Sequence, residues 1–345
     1  MTFQNRIQKF TSRWTDIHAR HPRLGAIRQW GISVLSLASG VVTISVFRRG
    51  IEYFPVFIGY LLLLWLAGVV FAEGRKARAL RGPRLVWRAV DYTVQTLFHG
   101  LLLFLLPVYY SSTTLTSWNA TFLGLLAAAA VLTTMDPWYQ AMMRSMPRLE
   151  IALFGLGLFA SMNVAFPLIG IEPTRGLLLS GAGSMLALLP SFRRPADPSW
   201  LRAILRAGAF AGIVVALLWP LRSWIPPVPL RLARATFAQT VTQLEPVEPV
   251  ATITAAEVRG WGALTAFTAV SAPAGLREPI FHVWRKNGAV LERILLSPVR
   301  GGVPGGFRTF SRKAEVGGDP TGSWIVEVVT AHHQLIGRVH LTVTP

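Results

Sequence analysis

The spacing of apolar residues divides the chain into two parts. Up to Leu221 the apolar residues form long runs, whereas from Val250 onward they alternate with polar residues. Runs of about 20 apolar residues are typical of helices that cross a bilayer, and alternation with a period of two is typical of strands. The pattern therefore predicts a polytopic α-helical membrane domain followed by an all-β domain.

The first part contains seven runs that qualify as membrane spans. They cover residues 30–47, 53–72, 90–110, 118–135, 151–171, 176–190 and 201–221. Trp30, Trp118 and Trp219 stand near the ends of these runs, as the aromatic belts of a membrane interface require. We therefore expect a transmembrane helical domain of about seven spans over residues 29–221.

The charges of the loops predict the orientation of these segments. Alternate loops hold 18 Lys and Arg residues in one set, which includes the N-terminus, and 3 in the other. Because basic loops stay in the cytoplasm, this asymmetry predicts a cytoplasmic N-terminus, and seven crossings would place the C-terminal domain on the opposite side. Residues 1–28 carry Phe3, Ile7, Phe10 and Trp14 at helical spacing among basic residues. They are interpreted as a cytoplasmic amphipathic helix on the inner leaflet or as a partly ordered basic tail.

Residues 222–249 contain two proline clusters and are predicted to be a linker. Within them Phe237, Val241 and Leu244 have helical spacing, which favours a short neck helix that lies on the membrane or pairs with another copy of the chain. A homo-oligomer is therefore one of the expected arrangements.

Residues 250–345 are predicted to form an Ig-like antiparallel β-sandwich. Seven short strands follow one another at intervals of about 8 to 12 residues: 252–255, 261–270, 279–285, 289–297, 306–313, 323–330 and 335–343. Asn287-Gly288 between two of them is a type I′ hairpin signal. In the last strand Val339, Leu341 and Val343 are expected to face inward.

Composition excludes several classes of function. With 52% hydrophobic and only 14% charged residues, the chain does not have the composition of a soluble enzyme. It has no cysteine, so disulfides, thiolate zinc sites and cysteine nucleophiles are excluded. The net charge is +18, but most of the excess lies among the apolar segments, where orientation explains it without nucleic acid. We expect no cofactor and no metal.

Polar residues within the apolar segments are the first candidate site. Asp91, Gln95 and His99 follow one another at intervals of four and share one face of the third predicted span. Such a row can carry protons or hold a polar ligand. The alternative is that Asp91 lies at the interface while the other two bond to neighbouring helices.

Five stretches of the C-terminal part carry a family resemblance: 276–284 with the His282-x-Trp284 strand, Gly301-Gly302, the run 306–313, 322–326 with Gly322-x-Trp324, and 335–337. In order and spacing they are similar to a bacterial domain of unknown function, family 2914. The resemblance implies a bacterial envelope location, with the chain in the inner membrane and its C-terminal domain in the periplasm. It implies no activity, since the family is itself uncharacterised.

The second candidate site is a ligand face on these strands. His282 and Trp284 share one face of a strand, and Arg308 and Arg312 share one face of another. If the strands are neighbours, aromatics beside cations form a patch for an anionic or glycan ligand. The alternative is that the tryptophan belongs to the core and the arginines are solvated.

Two functions compete on these grounds. The first is a non-enzymatic inner-membrane protein that anchors a periplasmic β-sandwich, which binds an envelope component or partner protein. The second is a membrane enzyme or carrier for a lipid-linked or small polar substrate, with Asp91 and His99 at its site. A polar cavity joining these two residues would distinguish the second function from the first.

Overall fold

A computed structural model describes residues 84–134, 145–193, 199–314 and 316–345, together with residues 139 and 142. The predicted segment 1–28 and the first two predicted spans lie outside the described residues. The described part contains seven helices: α1 (Arg84–Ser111), α2 (Ala120–Thr134), α3 (Pro147–Leu168), α4 (Pro173–Ala187), α5 (Leu189–Phe192), α6 (Trp200–Leu221) and α7 (Ala255–Trp261).

The prediction of about seven spans is wrong. Within the described ranges, two helical segments are long and apolar enough to cross a membrane, Arg148–Leu168 and Trp200–Trp224. The helices in two other predicted spans, α2 and α4, have 15 residues each. A helix of that length is about 22 Å long, whereas the hydrocarbon core of a bilayer is about 30 Å thick. Long apolar runs in the sequence therefore include helices that are too short to span.

The two long helices differ in their surroundings. The apolar window of Arg148–Leu168 is 61% buried among other helices, whereas that of Trp200–Trp224 is 11% buried. On α6 only small residues, Ala203, Ala207 and Ala211, are buried. Its bulky apolar side chains are therefore left on the surface.

The helical part packs through small and aromatic residues. The phenol of Tyr109 on α1 donates a hydrogen bond to the carbonyl oxygen of Ala160 on α3 at 3.0 Å. Gly157 admits the ring of Phe98, because an added Cβ would lie 2.4 Å from it. These contacts bring α1 and α3 close together and leave α6 at the outside of the group.

The second part of the chain is a sandwich of two sheets. Its strands are β1 (Arg231–Thr242), β2 (Glu245–Val250), β3 (Thr252–Thr254), β4 (Leu264–Ser271), β5 (Arg277–Glu278), β6 (Ile280–Lys286), β7 (Ala289–Leu295), β8 (Val299–Arg300), β9 (Phe307–Lys313), β10 (Gly322–Thr330) and β11 (Leu335–Thr344). One sheet has the order β2-β1-β4-β9 and the other β3-β11-β10-β6-β7, with β5 and β8 as a separate ribbon.

The core of the sandwich contains residues from both sheets. The rings of Phe237, Trp284 and Trp324 meet edge to face, with centroids 5.7 and 6.4 Å apart. On β11 Val339, Leu341 and Val343 face this core, as the alternation predicts. Burial of large aromatic rings contributes strongly to the stability of such a core.

The predicted neck helix is also wrong. Phe237 and Val241 lie on β1, the second strand of the four-stranded sheet, where β2 pairs on one side and β4 on the other. Residues 237–242 pair with β2 and residues 231–238 pair with β4, and this strand pairing outweighs the helical spacing of the segment. The sandwich thus begins at Arg231 and includes part of the predicted linker.

The sheets also depart from the predicted all-antiparallel Ig-like arrangement. The pairing of β3 with β11 is parallel, and the two large sheets of the described residues contain four and five strands. The predicted hairpin at Asn287-Gly288 has positive φ at both residues, as a type I′ turn requires.

Candidate functional site

The four residues of the predicted ligand face are not brought together. His282 and Trp284 point into the sandwich and are fully buried, whereas Arg308 and Arg312 point outward from β9 and are exposed. The two pairs lie on different sheets, and the side chains of β9 alternate between core and solvent. The single aromatic and cationic patch expected from the sequence is therefore not formed.

His282 and Trp284 belong instead to a buried polar network. The indole nitrogen Nε1 of Trp284 donates to Ser311 Oγ at 2.9 Å. Ser311 Oγ also lies 2.7 Å from His282 Nδ1, and His282 Nε2 lies 2.9 Å from Thr268 Oγ1. We call these four residues the His282 network. It links β6 of one sheet to β4 and β9 of the other.

Both ring nitrogens of His282 have a hydroxyl partner in this network. Ser311 Oγ lies at Nδ1 and also accepts from the indole, and Thr268 Oγ1 lies at Nε2. Burial lowers the pKa of His282 to about 3, so the ring is neutral. A neutral imidazole has one N–H donor and one acceptor nitrogen, so one hydroxyl donates to the ring and the other accepts from it.

The chemistry open to this network is limited. A serine and a histidine in contact resemble part of a hydrolase triad, but the imidazole is oriented by the Thr268 hydroxyl rather than by a carboxylate. His282 is fully buried and Ser311 nearly so. A substrate has no access to the pair, and its role is to join the two sheets. Sequence reasoning assigned no partner to Ser311, because His282 lies 29 residues away on the other sheet.

Arg308 and Arg312 lie on the outer face of the four-stranded sheet with Phe310, which is 41% exposed. Arg308 pairs with Glu245, whose other carboxylate oxygen pairs with Arg234 at 3.0 Å. Glu245 lies on β2 and Arg308 on β9, which are opposite edges of the sheet. The ion pair therefore requires the β1–β2 hairpin to curl across this outer face.

Arg312 forms no ion pair with a carboxylate among the described residues. Its positive charge is therefore available to bind an anionic ligand. Phe310 exposes an aromatic ring next to it along the strand. We call Arg308, Phe310 and Arg312 the outer arginine face. A planar guanidinium beside an exposed ring can bind a carboxylate, a phosphate or the face of a sugar.

The junction between the helices and the sandwich is a second cluster of buried polar groups. Gln334 lies at its centre: its Oε1 accepts from the Thr174 hydroxyl at 2.9 Å, and its Nε2 donates to the carbonyl of Ile225 at 3.3 Å. Beside it, Asn119 donates to the carbonyl of Leu335 at 3.2 Å. Each of these polar side chains is buried, and together they fix the sandwich to the ends of α2, α4 and α6.

Glu278 is a buried carboxyl group at the same junction. It is 2% exposed, and burial together with the negative charge of Glu172 raises its pKa to about 7. Glu172 precedes α4 and forms an ion pair with Arg175 at 3.0 Å. The junction therefore contains a carboxyl group that titrates near neutral pH. Sequence reasoning noted neither Glu278 nor Gln334, since a single polar residue beside a strand carries no motif.

The candidate row on α1 is described only in part. The side chains of Asp91 and Gln95 lie outside the described residues. His99 is buried, and its Nδ1 lies 3.1 Å from Thr134 Oγ1. The Thr134 hydroxyl also donates to the carbonyl of Ala130. The contact between His99 and Thr134 joins α1 to α2, and the alternative function with Asp91 and His99 at its site stays a prediction.

Two family models match the chain. A family of unknown function, DUF5924, matches residues 4–265, and a protein of unknown function, DUF2914, matches residues 277–343. The first match covers more than half of the chain, and the chain belongs to this family. The second confirms the resemblance to family 2914. Comparison with curated proteins and with solved structures gives no match.

Proposed function

We propose that this member of the DUF5924 family is a membrane-anchored protein whose β-sandwich binds an anionic envelope component or partner protein. The observation that carries the anchoring is the surface of α6. Leu201, Phe210 and Leu217 are each more than half exposed on a helix whose apolar window is 11% buried. A 22-residue helix is about 33 Å long, which matches the hydrocarbon core of a bilayer. The hydrocarbon of a bilayer is therefore the environment that matches the exposed apolar surface of α6.

The ends of α6 support this interpretation. Trp200 begins the helix and Trp219 lies in its last turn, and both rings are about half exposed. An arginine lies over each ring, Arg193 over Trp200 at 4.8 Å and Arg222 over Trp219 at 4.7 Å. Tryptophan and arginine together are typical of the headgroup level on either side of a span.

The junction supports a display function for the sandwich. Arg222 follows α6 directly, and its Nε donates to the carbonyl of His332 in the sandwich at 2.8 Å. Gln334 bonds to the segment that leaves α6. Because these contacts are buried or partly buried, the sandwich keeps a fixed position at the end of the helices and presents the outer arginine face in a defined direction.

Localisation in the bacterial inner membrane, with the N-terminus in the cytoplasm and the sandwich in the periplasm, is part of the proposal. Arg148, Arg193 and Arg202 lie at the ends of the two long helices that are remote from the sandwich, and basic residues beside a span favour the cytoplasm, which supports the orientation. The resemblance to a bacterial envelope family supports the compartment.

The absence of cysteine from the sequence allows a direct test of the anchoring and the orientation. Single cysteines would be introduced at Gly318, in an exposed turn of the sandwich, and at Ser145, before α3. A membrane-impermeant maleimide should label Gly318→Cys in intact spheroplasts and Ser145→Cys only after permeabilisation. The reverse pattern would refute the orientation. Release of the protein from membranes by alkaline carbonate would refute the anchoring.

Binding by the outer arginine face has its own test. The full chain would be titrated with polygalacturonate, a soluble carboxylated glycan, and compared with the double variant Arg308→Gln and Arg312→Gln. We expect roughly tenfold weaker binding by the variant, since a charge-assisted hydrogen bond is worth about 1.5 to 3 kcal/mol. A control that removes two distant positive charges, Arg259→Gln with Arg293→Gln, should bind like the parent. Equal binding by all three proteins would refute the assignment of this face.

A further inference from the structure

The ribbon of β5 and β8 places two arginines directly opposite each other. Arg277 pairs in register with Arg300, and both side chains are exposed. Their neighbours Leu276, Glu278 and Val299 are buried, so the strand alternation turns both arginines to the same outward side. Like charges directly opposite each other on paired strands are destabilising, and this pair therefore needs a compensating negative charge.

The described residues do not supply that charge. The ion pairs among them include neither Arg277 nor Arg300. Of the two carboxyl groups at this junction, Glu172 pairs with Arg175. Glu278 is buried, and its pKa is raised to about 7, so it is about half protonated near neutral pH. An anion from outside the chain fits the position.

The ribbon lies at the level where a candidate span ends. Gly170 follows α3, and a Cβ added to it would lie 3.4 Å from the carbonyl oxygen of Gly275, two residues before Arg277. At the same end of the helices, the rings of Trp118 and Trp224 stack with centroids 5.2 Å apart and remain exposed. In a membrane-anchored protein this is the level of the lipid headgroups.

We propose that Arg277 and Arg300 together bind the phosphate of an anionic phospholipid headgroup at the membrane surface. Two guanidinium groups on one side of a ribbon offer several planar N–H donors to the phosphate oxygens. The headgroup cancels the repulsion between the arginines and holds the base of the sandwich on the membrane. This inference rests on the proposed anchoring of α6 in a bilayer.

The experiment uses the full chain in detergent micelles and native mass spectrometry. Phosphatidylglycerol is titrated into the parent, into Arg277→Gln/Arg300→Gln, and into the control Arg259→Gln/Lys286→Gln, which loses the same charge elsewhere on the sandwich and outside the outer arginine face. We expect the first phosphatidylglycerol to bind the Arg277/Arg300 variant about tenfold more weakly than the parent, because charge-assisted hydrogen bonds are lost. The control variant should match the parent, and phosphatidylcholine should bind all three proteins equally.

Three results would overturn the inference. Equal weakening in both variants would mean a general effect of charge. Competition by inorganic phosphate or glycerophosphoglycerol at the concentration of the lipid would mean a site for soluble phosphate. Unchanged phosphatidylglycerol binding in the Arg277/Arg300 variant would mean that these residues do not bind lipid. Extraction of membranes with alkaline carbonate tests the proposed anchoring separately from the lipid site. A protein that resists extraction is anchored in the membrane, whichever lipid Arg277 and Arg300 bind.

Discussion

The His282 network makes a quantitative prediction for Ser311→Ala. The substitution leaves Trp284 Nε1 without its acceptor and His282 Nδ1 without its hydroxyl partner, and both side chains are fully buried. A buried polar group that loses its partner costs about 1 to 3 kcal/mol. Two such groups give a loss of about 3 kcal/mol or more in the free energy of unfolding of the sandwich.

Hydrogen exchange of the full chain in detergent measures this loss locally. Backbone amides of β4 and β6, which each pair with a strand on both sides, exchange only when the sandwich opens, and about 1.4 kcal/mol corresponds to a factor of ten in an opening equilibrium. Peptides from these strands should therefore exchange about 100-fold faster in Ser311→Ala than in the parent. Peptides from α3 should keep the exchange rate of the parent, because they lie outside the sandwich.

Ser323→Ala is the matched control, since Ser323 also lies on a sandwich strand but is exposed. A surface substitution of this kind usually changes stability by less than about 0.5 kcal/mol. If exchange in Ser311→Ala stays within about threefold of the rate in Ser323→Ala, the reasoning is refuted. The two sheets would then be joined by apolar packing alone.

Three further predictions concern the junction, the limits of the sandwich and its core. The pKa of Glu278 is raised to about 7 from its ordinary value of 4.5, with burial as the largest cause and the charge of Glu172 next. The stability that protonated Glu278 confers is fully present below pH 4.5 and is lost as the pH rises through 7, so Glu278→Gln should match the parent at pH 4.5 and exceed it by about 3 kcal/mol at pH 8 in chemical unfolding. A fragment of residues 226–345 should give a cooperative thermal transition and a β-type circular dichroism spectrum, whereas residues 250–345 should not, because they lack β1, which pairs with both β2 and β4. Trp284→Ala should lower the free energy of unfolding of the fragment 226–345 by about 3 to 5 kcal/mol, since the side chain is fully buried.

Each of these predictions has a contradicting result. A stability difference between Glu278→Gln and the parent that is the same at pH 4.5 and pH 8 would show that this carboxyl group does not titrate between those values. A cooperative transition in the fragment 250–345 would show that β1 is dispensable. A loss below about 1 kcal/mol for Trp284→Ala would place that ring outside the core.

Strands with local signals could be predicted from the sequence. The segment 306–313 was predicted and the strand is Phe307–Lys313; the segment 335–343 was predicted and the strand is Leu335–Thr344. These strands are marked by the alternation of buried and exposed residues and by glycine-rich turns at their ends. Both signals depend on residues that are close together in the chain, so the sequence alone predicts them.

The number of spans in the helical part could not be predicted correctly, because hydropathy does not report what surrounds a helix. Both α2 and α6 consist largely of apolar residues, yet α2 has 15 residues and α6 has 22. Leu126 of α2 is fully buried by neighbouring helices, whereas Leu201 of α6 is 67% exposed. A helix buried in a core and a helix with an exposed apolar surface therefore look alike in composition, and only packing distinguishes them.

The sequence by itself determined the division of the chain into a helical and a β part, the register of the hairpin at Asn287-Gly288, and the family of the last strands. Tertiary structure decided that the polar side chain of His282 faces the core of the sandwich. Alternation along β6 does not single out one buried face, because Val283 on the opposite face is buried as well. His282 faces the core because Ser311 and Thr268, supplied by the opposite sheet, satisfy both nitrogens of its ring. A buried polar group is stable only with its partners in place, and partners that are distant in sequence meet only in the folded protein.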